Sequence, residues 1–196
     1  MSHYFTNDPN LSSNKKQIEY HFNDEKFIFT TDNGVFSKSE VDRGSNALLQ
    51  VVSKLDLGRN ILDLGCGYGV IGIVIKRLFK KSELCLVDIN DRAISLSKIN
   101  ADLNNTEVTV LKSEDITTLN KAFDSILLNP PIRAGKKVIY GLYDSSYNCL
   151  NKGGKLYIVI QKKHGSESSI TELKKLFSEV NIISRKSGYQ IIESIK

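Results

Sequence analysis

The tetrapeptide Asn129-Pro130-Pro131-Ile132, which follows an apolar stretch, is the polar motif of this chain best suited to chemistry. Each proline fixes its own φ and pushes the preceding residue into extended geometry, so the turn is stiff. The side-chain oxygen of Asn129 and the main-chain carbonyl of Pro130 are then two acceptors for the two hydrogens of an exocyclic amine. Holding an amine in this way orients its nitrogen towards an electrophile and stabilises the positive charge that develops there. A turn with a purely structural role is the alternative interpretation.

A glycine-rich loop, Asp63-Leu64-Gly65-Cys66-Gly67-Tyr68-Gly69, lies between a short apolar strand and a helix. Glycine lets the backbone turn sharply and approach a ligand closely, and the start of the helix adds free amide donors and a partial positive charge. The run Gly67-x-Gly69-x-x-Gly72 also satisfies the dinucleotide-binding pattern. The glycines alone therefore leave open a dinucleotide site, another nucleotide-type site or a plain turn.

Three acidic residues at the ends of successive predicted strands narrow the choice of ligand. Asp88 follows the second strand, where a carboxylate can accept hydrogen bonds from both ribose hydroxyls, and Asp115 follows the third, within reach of an adenine amine. Asp63 ends the first strand, where its charge suits an ammonium group and would repel the pyrophosphate of a dinucleotide. Each acid alone could be a helix cap. Together they predict S-adenosylmethionine as cofactor and methyl transfer to an amine held at Asn129.

An alternation of short apolar strands and amphipathic helices from residue 60 onward would position these motifs. The predicted strands cover residues 61–64, 84–87, 107–111, 125–128, 155–160, 179–185 and 189–195; the predicted helices cover 70–80, 91–104, 136–150 and 168–177, with a turn at 151–154. This pattern is typical of an α/β fold of Rossmann type, a mostly parallel seven-stranded sheet with helices on both faces. Ligands of such sheets bind beyond the carboxyl ends of the strands, where the motifs fall.

The part of the chain before this core is predicted to be a short N-terminal extension. Residues 18–24 and 26–31 have the pattern of two short strands joined at Asn23-Asp24, and residues 44–56 carry a helical apolar stripe that Gly58 can end. Residues 1–16 are polar and are expected to be loosely held. The 196 residues are predicted to form one methyltransferase domain, 1–196, with the extension at 1–58 and the cofactor-binding core at 59–196.

Composition favours a cytoplasmic protein that acts away from membranes. No apolar run is long enough for a transmembrane helix, and the polar first residues lack the apolar region of a secretory signal. The net charge is +5 and the pI is about 9.0. Cysteines and histidines are scattered without metal-ligand spacing, so reduced thiols and no metal site are predicted: Cys66, Cys85, Cys149, His3, His21 and His164.

Basic residues cluster just after the tetrapeptide and again near residue 162: Arg133, Lys136, Lys137, Lys162 and Lys163. Their position beside the Asn129 turn favours contacts with the phosphates of a nucleic acid. A solvated helix surface is the alternative interpretation. Three tyrosines at helical spacing in the same region are predicted to be packing residues rather than base-stacking ones: Tyr140, Tyr143 and Tyr147.

These motifs resemble class I methyltransferases, and more closely the small-domain family that methylates the exocyclic amine of guanine in small-subunit ribosomal RNA. Besides the glycine-rich loop, the resemblance is carried by Asn33-Gly34-Val35-Phe36-Ser37, Val41-Asp42-Arg43-Gly44-Ser45, Asp88-Ile89-Asn90, Asn129-Pro130-Pro131-Ile132-Arg133-Ala134-Gly135-Lys136 and Ile160-Gln161-Lys162-Lys163. It covers nearly the whole chain, and the combination of segments is more specific than the loop alone.

The resemblance implies a role for each matching residue. The tetrapeptide would be catalytic, with Asn129 holding the target amine. The cofactor site would comprise Asp63, Gly65, Cys66, Gly67, Gly69, Asp88, Ile89, Asp115, Ile116 and Asn129, with the glycines at the methionine end, Asp88 at the ribose and Asp115 at the adenine. Phe36 and the five basic residues above would contact the substrate, and the segment from Gly34 to Ser45 would close over the site.

The partner that the resemblance implies is ribosomal RNA or the small ribosomal subunit. Ile132 stands where adenine-type amino-methyltransferases usually place an aromatic residue, which is compatible with guanine. The better-known family members carry a second, degenerate methyltransferase domain, whereas this chain has one. Three other interpretations stay open: a methyltransferase for a protein or small-molecule amine, a nicotinamide-dependent oxidoreductase and a non-catalytic RNA-binding protein.

Overall fold

A computed structural model describes residues 12–196 of the chain. Of the segment 1–16 that was predicted to be loosely held, residues 1–11 lie outside the described residues. The strands in the described part are β1 (Lys16–Phe22), β2 (Glu25–Thr31), β3 (Asn60–Leu64), β4 (Glu83–Asp88), β5 (Thr109–Lys112), β6 (Phe123–Leu128), β7 (Leu150–Gln161), β8 (Glu179–Lys186) and β9 (Tyr189–Ile195). The α-helices are α1 (Arg43–Val52), α2 (Val70–Leu78), α3 (Asp91–Leu103), α4 (Lys136–Cys149) and α5 (Ser166–Leu176). Short 3-10 turns occupy Ile116–Leu119, Ile132–Ala134 and Lys162–His164.

Within the described residues, one sheet of seven strands has the order β5-β4-β3-β6-β7-β9-β8. Strands β3 to β7 are parallel, and β9 pairs antiparallel with both β7 and β8. The chain leaves β3 towards one edge of the sheet and later returns to place β6 on the other side of β3. This switch point creates a crevice beyond the carboxyl ends of β3 and β6. The predicted fold class, a Rossmann-like α/β sheet with a separate N-terminal strand pair, is confirmed.

The sheet is buried on both faces because its central strands are almost continuously apolar. Neighbouring residues of one strand point to opposite faces, so Ile61 packs with α1 and α2 residues such as Leu48 and Ile73, whereas Leu62 packs with Tyr143 and Leu173 of α4 and α5. Two hydrophobic layers therefore hold the sheet rigid. A rigid sheet fixes the loops at its carboxyl edge, where the candidate site lies.

The N-terminal strand pair is a tight hairpin outside the main sheet. Asn23 and Asp24 at its turn have φ values of 47° and 62°, a left-handed conformation that asparagine and aspartate tolerate and that suits the twist of a two-residue hairpin. The predicted turn is confirmed. Phe27 and Phe29 of β2 are fully buried against the core, which ties the hairpin to the rest of the fold.

Two predicted boundaries differ from the structure by more than two residues. Strand β7 begins at Leu150, which pairs with Phe123, rather than at residue 155. Pairing with β6 resumes at Lys155 opposite Ser125, so residues 151–154 stand out of that pairing, and the main-chain groups of Gly153 and Gly154 bond to those of Lys196. Helix α1 ends at Val52 rather than at residue 56, so Gly58 does not end it. Gly58 instead has a φ of +73° and lies where an added Cβ would be 2.5 Å from the Cβ of Asp124.

Other predictions about single residues agree with the structure. Cys66, Cys85 and Cys149 are buried free thiols. Tyr143 is fully buried, and Tyr140 and Tyr147 pack partly buried against the same hydrophobic layer, as expected of packing residues. Among residues 12–196, no helix combines the length and the apolar character needed to cross a membrane.

Candidate active site

A cavity of about 830 Å³ lies beyond the carboxyl ends of the parallel strands, at the switch point of the sheet. Its size falls in the range of small-molecule and cofactor sites. Twelve of the residues predicted from the sequence to form the site line it: Phe36, Gly65, Cys66, Gly67, Asp88, Ile89, Ile116, Asn129, Pro130, Pro131, Ile132 and Arg133. The sheet thus brings most of the separate motifs to one place.

The glycine-rich loop forms the floor of the cavity after β3. Gly65, Gly67 and Gly69 have φ values of 69°, 57° and 94°, which side chains with a Cβ rarely adopt. The main-chain amides of Gly65 and Cys66 donate to the carbonyl of Val87, so the loop is fastened to the end of β4. Gly69 caps the N-terminus of α2 without itself lining the cavity, contrary to the prediction of a contact residue.

Asp88, the last residue of β4, is held on the cavity wall by main-chain donors. Its Oδ2 accepts from the amide of Gly67 at 2.9 Å, and its Oδ1 accepts from the amide of Asn90 at 2.9 Å. Burial raises the pKa of this carboxyl above its ordinary value, while the amide donors oppose that rise. The side chain is therefore fixed in direction and ready to accept hydrogen bonds from a ligand.

Asp63 lies behind the glycine-rich loop and not on the cavity wall. It is 1% exposed, its Oδ2 accepts from the amide of Gly72 at 2.8 Å, and its Oδ1 has no hydrogen-bond partner among residues 12–196. Burial raises the pKa of this carboxyl to about 7, and the neighbouring carboxylate of Asp88 acts in the same direction. An unpartnered buried oxygen of this kind attracts a positive charge at the loop above it.

Asp115, which the resemblance assigns to the adenine, is not among the residues that line the cavity. Its carboxylate accepts from the main-chain amide of Thr117 at 2.9 Å and from the hydroxyl of that residue at 2.7 Å, because it caps the 3-10 turn that starts at Ile116. These bonds lower the pKa of Asp115. The acidic residue on this wall is its neighbour Glu114, which lines the cavity together with Ser113.

Asn129, which follows β6, is held by the N-terminus of α1. Its amide nitrogen donates to Oδ2 of Asp42 at 2.9 Å and to Oγ of Ser45 at 3.0 Å. Both donors of the amide are thus engaged on the α1 side, which directs the side-chain oxygen away from α1. Asp42 and Ser45 also line the cavity. Sequence analysis found their segment but assigned no role to either residue, because their contact with Asn129 spans more than 80 positions of the chain.

The cavity lining also includes aromatic, polar and basic side chains. Phe36 and Arg133 are among them, together with three residues outside the predicted set of site residues: Gln161, His164 and Tyr189. Gln161 and Tyr189 face each other across β7 and β9, and the amide of Gln161 donates to the Tyr189 hydroxyl at 2.7 Å. This pair comes from an antiparallel edge of the sheet, a strand pairing that no local sequence signal reveals.

The remaining predicted substrate residues do not line the cavity: Lys136, Lys137, Lys162 and Lys163. All four are exposed. They begin α4 or form the 3-10 turn after β7, next to lining residues of the same segments. Their ammonium groups therefore lie at the surface, close in sequence to the lining residues Arg133 and His164, and not in the cavity itself.

A family model described as methyltransferase small domain matches residues 26–193 of the chain. An uncharacterized protein of Bacillus subtilis, YbxB, is 43% identical over 197 residues, which cover 99% of this chain and 98% of that protein. A ribosomal RNA small subunit methyltransferase C of Actinobacillus pleuropneumoniae is 38% identical over 130 residues, 64% of this chain and 40% of the relative.

Solved structures share the fold. One is the 16S rRNA N2 methyltransferase RsmC of T. thermophilus, determined in complex with AdoMet and guanosine, with a TM-score of 0.84 at 23% sequence identity. The match covers 96% of this chain and 52% of the RsmC chain. A methyltransferase of Pyrococcus furiosus has a TM-score of 0.70 at 21% identity, over 84% of this chain and 90% of its own. The matched region thus covers about half of the RsmC chain and 40% of the Actinobacillus pleuropneumoniae relative.

Proposed function

The chain belongs to the methyltransferase small-domain family. We propose that it transfers a methyl group from S-adenosylmethionine to the exocyclic amine of a guanine in small-subunit ribosomal RNA. The observation that carries the proposal is the fixed amide of Asn129, which lines a cavity shared with the glycine-rich loop and Asp88. The substrate would be met in the cytoplasm, as ribosomal RNA or as the small ribosomal subunit.

The charges around the cavity fit a cationic cofactor. Asp88 and Glu114 line it, and the unpartnered oxygen of Asp63 lies behind the loop. S-adenosylmethionine carries a sulfonium and an ammonium, both of which are attracted to carboxylates, whereas the pyrophosphate of a nicotinamide dinucleotide would be repelled. This balance of charge argues against the oxidoreductase alternative.

Each region of the cavity has residues suited to one part of the cofactor. Asp88 would accept hydrogen bonds from the ribose hydroxyls, and the main-chain groups of Gly65 and Gly67 would contact the methionine end. Ser113, Glu114 and Ile116 would border the adenine, a place that the sequence had given to Asp115. When bound, the cofactor supplies an electrophilic methyl group.

Asn129 would act on the substrate rather than on the cofactor. Its side-chain oxygen would accept one hydrogen of the target amine, and the Pro130 carbonyl would accept the other, which turns the nitrogen lone pair towards the methyl group. As the nitrogen becomes positively charged, both hydrogen bonds strengthen. A methylated ammonium of this type is acidic and can lose its proton to water, so no strong base is required at the site.

The apolar and basic side chains of the cavity lining support a purine in RNA as the acceptor. Phe36, which is 43% exposed, and Ile132 both line the cavity and would offer a base apolar surface, and Arg133 would contact a phosphate. The relatives named ribosomal RNA small subunit methyltransferase C, and the guanosine in the RsmC complex, point to the same acceptor.

Replacement of Asn129 tests the proposal. Asn129→Ala should lower the single-turnover methyl-transfer rate by about 100-fold, because the lost interactions are strongest in the transition state. The affinity for S-adenosylmethionine should change little. Asn181→Ala, at an exposed position of β8, is the matched control and should retain parental turnover. Rates should be measured with saturating ribosomal RNA and normalised to folded protein; near-parental turnover of Asn129→Ala would contradict the proposal.

A further inference from the structure

Asp42 lines the cavity, but the proposed mechanism does not give it a role. We propose that Asp42, assisted by Ser45, is a positioning residue that sets the orientation and the polarity of the Asn129 amide. This inference rests on the proposed function, because it concerns how Asn129 holds the target amine. It assigns an active-site role to the N-terminal segment, whose residues precede the cofactor-binding core in the chain.

The geometry around Asp42 is specific. The same oxygen, Oδ2, accepts from the main-chain amide of Ser45 at 3.0 Å and from the amide nitrogen of Asn129 at 2.9 Å. The hydroxyl of Ser45 takes the second amide hydrogen of Asn129 at 3.0 Å. An asparagine amide can otherwise turn by half a rotation and exchange its oxygen for its nitrogen. With a carboxylate and a hydroxyl on the nitrogen side, the oxygen is the atom left for the substrate.

The backbone next to Asp42 is adapted to this close contact. A Cβ added to Gly44 would lie 2.8 Å from Oδ2 of Asp42, 3.2 Å from Cε1 of Tyr189 and 3.5 Å from the amide nitrogen of Asn129. Gly44 is buried and begins the first turn of α1, where its helical conformation alone does not require glycine. The absence of a side chain at Gly44 therefore leaves room for the carboxylate of Asp42 and the ring of Tyr189 beside the first turn of α1.

Charge gives Asp42 an effect beyond orientation. A hydrogen bond from an amide to a carboxylate is stronger than one to a neutral acceptor, and it polarises the amide so that its oxygen becomes a better acceptor. The negative charge also lies one side chain away from the amine, where a positive charge develops during methyl transfer. Both effects are larger in the transition state than in the ground state, so they should appear in turnover rather than in binding.

The competing explanation is that Asp42 only caps α1 through its bond to the amide of Ser45. Two substitutions separate the explanations. Asp42→Ser keeps a good capping residue, but its side chain is too short to reach Asn129 as well. Asp42→Asn keeps an oxygen that can accept from both Ser45 and Asn129 and removes the charge. Both variants should stay folded, and thermal unfolding should verify this.

The positioning role predicts a graded loss of single-turnover rate. Asp42→Ser should lose about 30-fold, and Asp42→Asn should lose less, about 5-fold, the scale expected for a charged and a neutral hydrogen bond. Ser45→Ala should lose about 3-fold because the carboxylate still holds the amide. The affinity for S-adenosylmethionine should be unchanged in all three. Parental turnover of folded Asp42→Ser would overturn the inference.

A double-mutant cycle provides a readout that capping alone cannot change. Asn129→Asp would place a second carboxylate at the 2.9 Å contact with Asp42, and the repulsion should disturb both side chains. Asp42→Asn removes that repulsion, so Asn129→Asp should be less damaging in the Asp42→Asn background than in the parent. Strict additivity would overturn the inference. A parental rate for Asn129→Ala would instead reject the proposed function itself, so the two failures are distinguishable.

Discussion

At the scale of single residues, Asp63 shows how burial opposes the ionisation of a carboxyl beside the candidate site. Its carboxyl is buried with one hydrogen-bond partner, and burial raises its pKa to about 7. Because the folded-state pKa is above that of the unfolded chain, the contribution of Asp63 to stability is full below about pH 4 and is lost as the pH rises towards 7. A cofactor ammonium near the loop would reverse this loss by favouring the ionised carboxylate.

Asp63→Asn tests this linkage. The substitution removes the titration, so the free energy of unfolding of the variant relative to the parent should increase as the pH rises from about 4 to about 7. Urea unfolding across this range measures the difference. In the parent, the affinity for S-adenosylmethionine should increase over the same range, and calorimetry should show a weaker pH dependence for the variant. A constant difference in stability at every pH would mean that Asp63 does not titrate there.

The three acids also show what the sequence could predict about the site. Asp63 lies near the end of β3, Asp88 is the last residue of β4 and Asp115 follows β5, so all three lie near the carboxyl edge of the sheet, as the sequence predicts. The hydrogen bonds that hold the three carboxylates, from Gly72, Gly67 and Thr117, were not predictable from the sequence. In the segment after β5, Glu114 and not Asp115 lines the cavity.

At the scale of elements, two asparagines of α3 fasten the hairpin to the core. Asn100 accepts from the amide of Thr30 at 2.6 Å and donates to its carbonyl at 2.9 Å, and Asn104 makes the corresponding bonds to Ile28 at 3.0 and 2.7 Å. Residues four apart on a helix rise about 6 Å, close to the spacing of alternate residues on a strand, about 6.7 Å. The two side-chain amides therefore pair with the main chain of β2 in the way that a neighbouring strand would.

Asn100→Ala should destabilise the protein by about 3 kcal/mol. The substitution leaves the buried main-chain groups of Thr30 unpaired and also removes a bond to the carbonyl of Tyr68 in the glycine-rich loop. Asp102→Ala, at an exposed position of the same helix, should change stability by less than about 0.5 kcal/mol. Hydrogen exchange should show lost protection at Ile28 and Thr30; unchanged protection would mean that the hairpin is held by its apolar side chains alone.

Elements with a strong local signal were the ones that sequence analysis located well. The parallel strands are short apolar runs bounded by turn residues, and their parallel direction follows from the alternation with helices. The start of β7 was missed because Gly153 and Gly154 resemble a turn locally, whereas their main-chain bonds are made with Lys196 at the other end of the chain. The same limit hid the pairing of Gln161 with Tyr189 and the contact of Asp42 with Asn129.

At the scale of the whole molecule, acidic and basic groups occupy different parts of one face. Asp88 and Glu114 line the cavity and Asp63 lies behind its floor, while exposed lysines follow the lining residue Arg133 and precede the lining residue His164 in the chain. Under the proposed function, a cationic cofactor and an anionic RNA would bind side by side, each opposite groups of the other sign. This arrangement favours an enzyme that brings the two together over a binding protein that needs only the basic surface.

The basic residues that follow Asn129 in the chain should make RNA affinity depend on the salt concentration. Each phosphate contact releases condensed counterions, so removing one should reduce the slope of log K against log salt by about one unit. Alanine at Arg133, Lys136 and Lys137 together should weaken RNA binding and lower this slope by about two to three units, with little change in affinity for S-adenosylmethionine. Filter binding at several salt concentrations measures the slope.

The control variant must remove the same charge from the other end of the parallel strands, away from the cavity. Lys80 and Lys81 precede β4, and Lys152 lies at the start of β7, so all three are exposed near the amino ends of the parallel strands. Their triple alanine variant has the same net charge as the test variant, and it should keep the parental slope if the RNA docks at the cavity. Equal slopes for the two variants would show that RNA responds to net charge alone, whereas a reduced slope confined to the test variant places the phosphates at the opening above Asn129.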